Sequence, residues 1–134
     1  MKRYSTLFCF LLLSLWANAQ EKISLCGNDY PFSIKNVNVN SDLIAKLEWD
    51  LTNAPNSNDF EIEVMPIRDC YNAIDGVLFR EKITIKIGLD NVQKKDSKDL
   101  SVKTLSVKCF KWRIRSTSQN CSDASPWKYY SFLD

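Results

Sequence analysis

Histidine is absent from this chain of 134 residues. Histidine is the commonest metal ligand and the only side chain that titrates near neutral pH without perturbation. Its absence therefore excludes Ser-His-Asp catalysis, Cys-His catalysis and histidine-ligated zinc. Internal repeats, low-complexity tracts and sustained helical spacing of apolar residues are also lacking, so neither a repeat protein nor a helical bundle is indicated.

Long apolar runs are lacking too. The most apolar stretch, "LFCFLLLSLW" at 7–16, is shorter than the roughly 20 residues that span a bilayer. It follows the basic pair Lys2 and Arg3 and precedes Ala17-Asn18-Ala19, which is the order of a secretory signal peptide. We therefore predict a signal peptide over 1–19, which includes Cys9. The mature chain 20–134 is expected to be secreted, extracellular or periplasmic, without a transmembrane segment or other anchor.

An excess of basic charge is missing from the mature chain. The whole sequence has 18 Lys and Arg against 16 Asp and Glu, but removal of Lys2 and Arg3 balances the two. Nucleic-acid binding normally requires a basic footprint, so no nucleic-acid partner is expected.

Four cysteines, Cys26, Cys70, Cys109 and Cys121, remain after removal of the signal peptide. An even number of cysteines in an oxidising compartment indicates two disulfides. A four-thiolate zinc site normally shows C-x₂₋₄-C spacing, and these cysteines have none. We therefore expect neither a metal nor a cofactor.

Apolar residues alternate with polar ones in four runs, which is typical of strands with one buried and one solvent-exposed face. The apolar sets are Leu43, Ala45, Leu47 and Trp49; Phe60, Ile62 and Val64; Ile83, Ile85, Ile87 and Leu89; and Phe110, Trp112 and Ile114. Less regular strand candidates cover 31–39, 100–107 and 127–132. Turn residues separate these runs at 52–58, 73–76, 90–99 and 116–126. About seven short strands predict an all-β fold, an antiparallel two-sheet sandwich, in one domain over 20–134. The Lys-rich stretch 94–98 is interpreted as a solvated hairpin tip.

The order of these residues resembles a fibronectin type III domain. The resemblance rests on Trp49 in "LIAKLEWD", on "DFEIEV", on Leu105 before "CFKWRIRS", and on "SPWKYYSF" as the last strand. It implies that Trp49 fills the core from the second strand and that the penultimate strand carries an alternating apolar set. Phe110 stands where the family has its corner tyrosine, and the stretch 67–99 is longer than the family pattern requires.

The resemblance also ranks the three possible disulfide pairings. A Cys109–Cys121 bond is disfavoured even without the resemblance. The two cysteines lie at opposite ends of a strand of about eight residues, which separates its ends by roughly 26 Å, whereas bridged Cα atoms lie within about 7 Å. In the fibronectin type III order, the strand ending near residue 66 finishes where the penultimate strand begins, and the first strand starts beside the last hairpin loop. The resemblance therefore implies the pairs Cys70–Cys109 and Cys26–Cys121.

Charged and aromatic residues supply the candidate surface. The row Lys111, Arg113 and Arg115 is expected to face Asp59, Glu61 and Glu63 on a neighbouring strand, which sets the register. Trp49 and Trp112 are expected in the core. Trp127 and Tyr129 either face outward, with Trp127 stacked on Arg113 or Arg115, or face inward. If Trp127, Tyr129 and Tyr30 are exposed together, they form a platform for a sugar or a protein.

No residue combination satisfies the requirements of catalysis. Glu61 and Glu63 lie about 7 Å apart on one face, but adjacent outward positions on a flat strand do not separate two pKa values. The sequence therefore indicates a secreted, non-catalytic binding module for a protein or glycan, with Trp127, Tyr129, Tyr30, Arg113 and Arg115 as its possible surface. The alternatives are an envelope assembly protein that pairs through edge strands and, last, a hydrolase that uses carboxylates alone.

Overall fold

The computed structural model describes residues 21–55, 59–88 and 93–133. The predicted signal peptide 1–19, with Cys9, lies outside the described residues, as do Leu89 and parts of the predicted turns 52–58 and 90–99. The described chain forms eight strands, one short helix and a 3₁₀ segment. These are β1 (Glu21–Leu25), β2 (Asn28–Asn36), β3 (Ile44–Asp50), β4 (Phe60–Ile67), the 3₁₀ segment Cys70–Asp75, β5 (Ile83–Ile87), β6 (Lys95–Ser101), α1 (Val102–Leu105), β7 (Cys109–Ser116) and β8 (Lys128–Ser131).

Two four-stranded antiparallel sheets make up the fold, with strand orders β1-β2-β3-β6 and β5-β4-β7-β8. The predicted all-β, two-sheet sandwich is therefore confirmed. It has one strand more than expected, because β1 folds back on β2 through the two-residue turn Cys26-Gly27. Both turn residues have positive φ angles, 54° and 78°, which suits the twist of a tight hairpin.

The core lies between the inner faces of the two sheets. The alternation predicted for β3, β4 and β7 is confirmed, since Ala45, Leu47, Trp49, Phe60, Ile62, Val64, Phe110, Trp112 and Ile114 are all buried. Phe32 of β2 stacks on Trp112 with ring centroids 4.5 Å apart. Aromatic stacking across the core thus joins the two sheets.

Two predictions for the second half of the chain are wrong. The Lys-rich stretch 94–98 is not a hairpin tip, because residues from Lys95 onward belong to β6 and pair with β3. An edge strand of this kind tolerates charge on the side that faces solvent. The candidate strand 100–107 is also interrupted: Ser101 caps α1 by accepting the N–H of Thr104, and the chain turns over the end of the sandwich.

Both implied disulfides are present, one at each end of the sandwich. Cys26 in the β1–β2 turn is bonded to Cys121 in the β7–β8 loop, with Cα atoms 5.9 Å apart. Cys70 after β4 is bonded to Cys109 at the start of β7, with Cα atoms 5.7 Å apart. The first disulfide links the two sheets, and the second fastens the 3₁₀ segment to β7. Two disulfides are consistent with an oxidising compartment.

The edges β1 and β8 are also joined by an ion pair between Glu21 and Lys128. No helix in residues 21–55, 59–88 and 93–133 has the length and apolarity that crossing a bilayer requires.

Candidate functional site

The outer face of β4 and β7 carries the charged rows that the sequence placed side by side. Glu61 pairs in register with Arg115, and Glu63 pairs with Arg113. The expected cross-strand charge complementarity is therefore confirmed for these two pairs.

Glu63 is nevertheless not the solvent-exposed residue that the alternation predicted. Its side chain is fully buried beneath three cations. Arg113 Nε lies 2.6 Å from one carboxylate oxygen, while Lys82 donates to the other, which also lies 3.5 Å from Arg115 Nη1. Long basic side chains cover a carboxylate with their stems while their charged ends stay near water, which explains how an outward position is buried.

The environment of Glu63 favours its ionised form. Burial opposes ionisation, but the hydrogen bonds and positive charges of Lys82 and Arg113 together hold the pKa of the Glu63 carboxyl below its usual value. A general acid requires a raised pKa. Glu63 is therefore suited to holding β4 and β7 together.

Trp127 lies on the same outer face, half-buried, with its ring over the row of cations. The Arg113 guanidinium carbon is 4.4 Å from the ring centroid, and Lys111 Nζ is 5.3 Å from it. Trp127 thus faces outward and stacks on Arg113 rather than Arg115. The Trp127 ring therefore makes cation–π contacts with basic side chains of its own chain.

The other two aromatic residues of the predicted platform have different roles. Tyr129 is half-buried, and its hydroxyl donates to the carbonyl of Cys70 at 3.0 Å. Tyr30 is not on the surface: it is 3% exposed and packs edge-on against Phe60. Because Tyr30 and Phe32 are two residues apart on β2, both point into the core. The condition for a three-aromatic platform, joint exposure of Trp127, Tyr129 and Tyr30, is therefore not met.

A depression of about 450 Å³ on the opposite sheet is lined by Pro31, Glu48, Trp49, Asp50, Lys95, Asp96 and Ser97. A hydrogen bond from Lys35 holds the pKa of Glu48 below its usual value, and hydrogen bonds from Thr52 do the same for Asp50. Both carboxylates are therefore ionised structural partners of neighbouring groups.

Among the described residues, one group of possible metal ligands lies close together, Cys26, Cys121 and Asp123. Its two sulfur atoms are joined in the disulfide, and the Asp123 carboxylate accepts the N–H of Cys26 at 2.9 Å. The disulfide leaves no thiolate to bind a metal.

A surface that sequence reasoning missed lies at one end of the sandwich. We call it the apolar end: it consists of the exposed large apolar residues Val37, Val39, Tyr71, Val77, Leu78, Phe79 and Leu133. These seven are the exposed large hydrophobic residues of the described chain. They fall in the β2–β3 loop, in the β4–β5 connection and after β8, all of which lie at the same end. Tyr71 is 95% exposed and Val77 is 62% exposed.

The β4–β5 connection, residues 68–82, is held firmly against the sandwich. Asp69 accepts the N–H of Tyr71 at 3.1 Å, and Cys70 is covalently bonded to Cys109. Lys111 Nζ donates to the carbonyl of Ile74 at 3.1 Å, and Arg80 donates to the carbonyl of Thr104 at 3.0 Å. The apolar side chains are thus presented on an ordered backbone.

Gly76 is buried within this connection, which gives a first prediction. A Cβ at this position would lie less than 3.0 Å from the Asp69 carbonyl oxygen and from Ile67 Cγ2. Overpacking of this kind costs about 1–3 kcal/mol, so Gly76→Ala is expected to lower the free energy of unfolding by that amount in chemical denaturation. The neighbouring exposed change Val77→Ala is the control, with an expected effect within about 0.5 kcal/mol. Equal stability of the two variants would contradict the close packing of Gly76.

The fold defines the class of the protein as an antiparallel β-sandwich compatible with an immunoglobulin-like fold. No protein-family model matches the chain, and neither a curated protein nor a solved structure is significantly similar to it.

Proposed function

We propose that this chain is a secreted, non-catalytic, fibronectin type III-like binding module that recognises a protein partner through its apolar end. The main support is the concentration of exposed apolar side chains at that end. The β4–β5 connection, which bears Tyr71, Val77, Leu78 and Phe79, is fixed by a disulfide. Soluble proteins rarely gather exposed apolar residues except at interaction sites. Ordering these residues before binding lowers the entropy cost of association.

The type III assignment is supported by three features that the resemblance implies. Trp49 fills the core from a strand of the first sheet, β4 lies beside β7, and the cysteine pairs join the expected ends of the sandwich. Secretion is supported by the predicted signal peptide 1–19 and by two disulfides in the mature chain.

A protein is favoured over a glycan as the partner. The aromatic residues of the outer face are already engaged within the chain, since the Trp127 ring contacts Arg113 and Lys111 and the Tyr129 hydroxyl donates to the Cys70 carbonyl. Tyr71 and Phe79, in contrast, are exposed, and tyrosine is enriched among the residues that dominate protein interfaces. A carboxylate-only hydrolase is the least supported alternative, because Glu48, Asp50 and Glu63 are all held ionised by neighbouring groups.

The experiment compares two surfaces of the same chain. The mature chain is used to isolate partners from proteins secreted by the organism of origin, and the dissociation constant of each purified partner is then measured. We expect the double variant Tyr71→Ser/Phe79→Ser to bind at least about tenfold more weakly, and Trp127→Ala to bind like the unmodified chain. Thermal unfolding checks that both variants are folded. Loss of binding in Trp127→Ala alone would instead place the site on the outer face of β7 and β8.

A further inference from the structure

Residues Val77–Phe79 form a short extended segment that runs along the end of β4. Arg68 N–H donates to the Val77 carbonyl at 2.8 Å, and Phe79 N–H donates to the Pro66 carbonyl at 2.9 Å. Leu78 lies opposite Ile67 in an antiparallel bridge between these two bonds. Because backbone groups of successive residues point to opposite sides of a strand, the N–H and C=O of Leu78 point away from β4.

Pro66 explains why this segment is separate from β5. The Pro66 carbonyl faces the β5 side of β4, and its nitrogen faces the same side. Because a proline nitrogen carries no hydrogen, Pro66 cannot donate a hydrogen bond toward β5. The β4–β5 ladder ends at Val64 opposite Ile83, and continuing that register would place Arg80 opposite Ile67. Leu78 is found there instead, so the chain bulges over two additional residues before it pairs again.

The outward backbone groups of Leu78 form an open edge. Within 21–55, 59–88 and 93–133, no backbone hydrogen bond involves either group. Three of the sheet edges, β6, β1 and β8, carry charged residues in the manner typical of monomeric sandwiches. β6 carries Lys95, Asp96, Lys98 and Asp99, whereas β1 and β8 are joined through Glu21 and Lys128. Residues 76–79 carry no charge and expose three large apolar side chains.

The chemistry of this edge defines its ligand. A free N–H and a free C=O on one extended residue are complementary to the backbone of another extended chain. The uncharged centre favours apolar side chains in that chain. The exposed residues Asp75 and Arg80 flank the segment with opposite charges, so a basic residue at one end of the added strand and an acidic residue at the other are complementary to it.

We infer that Leu78 is a strand-addition site, at which an extended, centrally apolar peptide segment of the partner protein pairs with the edge formed by Val77–Phe79. This inference rests on the proposed function, because it specifies how the apolar end recognises its protein partner. The added strand exchanges two hydrogen bonds with Leu78, and its side chains contact Val77 and Phe79.

The decisive comparison is Leu78→Pro against Leu78→Val in the full mature chain. Proline removes the outward N–H and leaves the donors of the two bonds to β4, Arg68 N–H and Phe79 N–H, in place; it is tolerated on an edge where the N–H faces solvent. Valine keeps that donor together with an apolar side chain. The probes are short linear peptides selected on the unmodified chain from a random displayed library, and any purified partner serves as a second probe. We expect alternating apolar peptides to be enriched. Leu78→Pro should bind them at least about tenfold more weakly, and Leu78→Val within about threefold.

Hydrogen exchange of the unmodified chain gives a readout that needs no variant. The Leu78 amide is expected to exchange rapidly in the free chain and slowly with the selected peptide bound. An unprotected Leu78 amide in the complex would overturn strand addition. If Tyr71→Ser/Phe79→Ser abolishes binding and Leu78→Pro does not, the apolar end remains the binding site but strand addition is wrong. If neither variant weakens binding, both proposals fail.

Discussion

Replacing Cys26 and Cys121 together with alanine is expected to lower the free energy of unfolding by about 4 kcal/mol. The two residues are 95 positions apart, so their bond closes most of the mature chain into one loop. The chain-entropy model assigns a larger stabilisation to longer loops because the cross-link restricts the unfolded state more strongly. Guanidinium denaturation at neutral pH measures the loss, and the slope m should rise as the unfolded chain expands.

The second disulfide provides a matched control for this prediction. Cys70 and Cys109 are 39 positions apart, so the same model assigns their bond about 1 kcal/mol less. The variant Cys70→Ala/Cys109→Ala should therefore retain more stability than Cys26→Ala/Cys121→Ala. A larger loss for the shorter loop would show that local packing at Cys109, rather than loop length, dominates.

Replacing Glu63 with glutamine is expected to lower the free energy of unfolding at pH 7 by about 3 kcal/mol. Removing one partner of a buried ion pair is strongly destabilising, and here three cations lose the same carboxylate. The loss falls at the lower end of the usual range because Arg113, Arg115 and Lys82 keep partial access to water. Urea denaturation measures it, with Glu61→Gln, the half-buried neighbour on the same strand, as the control; its expected loss is below about 1 kcal/mol.

The stabilisation that Glu63 contributes is expected to decrease as the pH falls. Its carboxyl has a folded-state pKa below the usual value of 4.5, so the unfolded state binds the proton more readily. The resulting stabilisation is present above pH 4.5 and is lost as the pH falls through the folded-state pKa. The stability difference between the unmodified chain and Glu63→Gln should therefore shrink on acidification below pH 4.5. A difference that stays constant down to pH 2 would contradict the ion-pair assignment.

The sequence predicted the strands in which burial on one face decides the residue pattern. β3, β4, β5 and β7 alternate with period two because one side chain in two enters the core. Residues 95–99 of β6 were assigned to a turn because this edge strand, with its Lys and Asp residues, has no such alternation. The short β1 was missed because its pairing depends on the turn at Cys26-Gly27, which local composition does not distinguish from a loop.

The candidate site was predicted less well than the fold. Exposure of Val77, Leu78 and Phe79 depends on where the β4–β5 connection lies, and three consecutive apolar residues are normally buried. Glu63 was placed on the exposed face because periodicity gives the direction of a side chain but not the neighbours that cover it. The sequence left both directions open for Trp127, and its contacts with Arg113 and Lys111 show that it faces outward. Tyr30 points into the core because it lies two residues from the buried Phe32 on the same strand.

The Cys70–Cys109 disulfide has a mechanical consequence for a module that is pulled through its partner. Tension applied at Leu78 passes along the chain in one direction to Ile83 and β5, which no covalent cross-link holds at the sheet edge: it is kept there by hydrogen bonds to β4 and by the buried side chains of Ile85 and Ile87. In the other direction it reaches Cys70 and crosses a covalent bond to Cys109 in the interior strand β7. Peeling β5 away would therefore leave the pulled segment still anchored in the middle of its sheet.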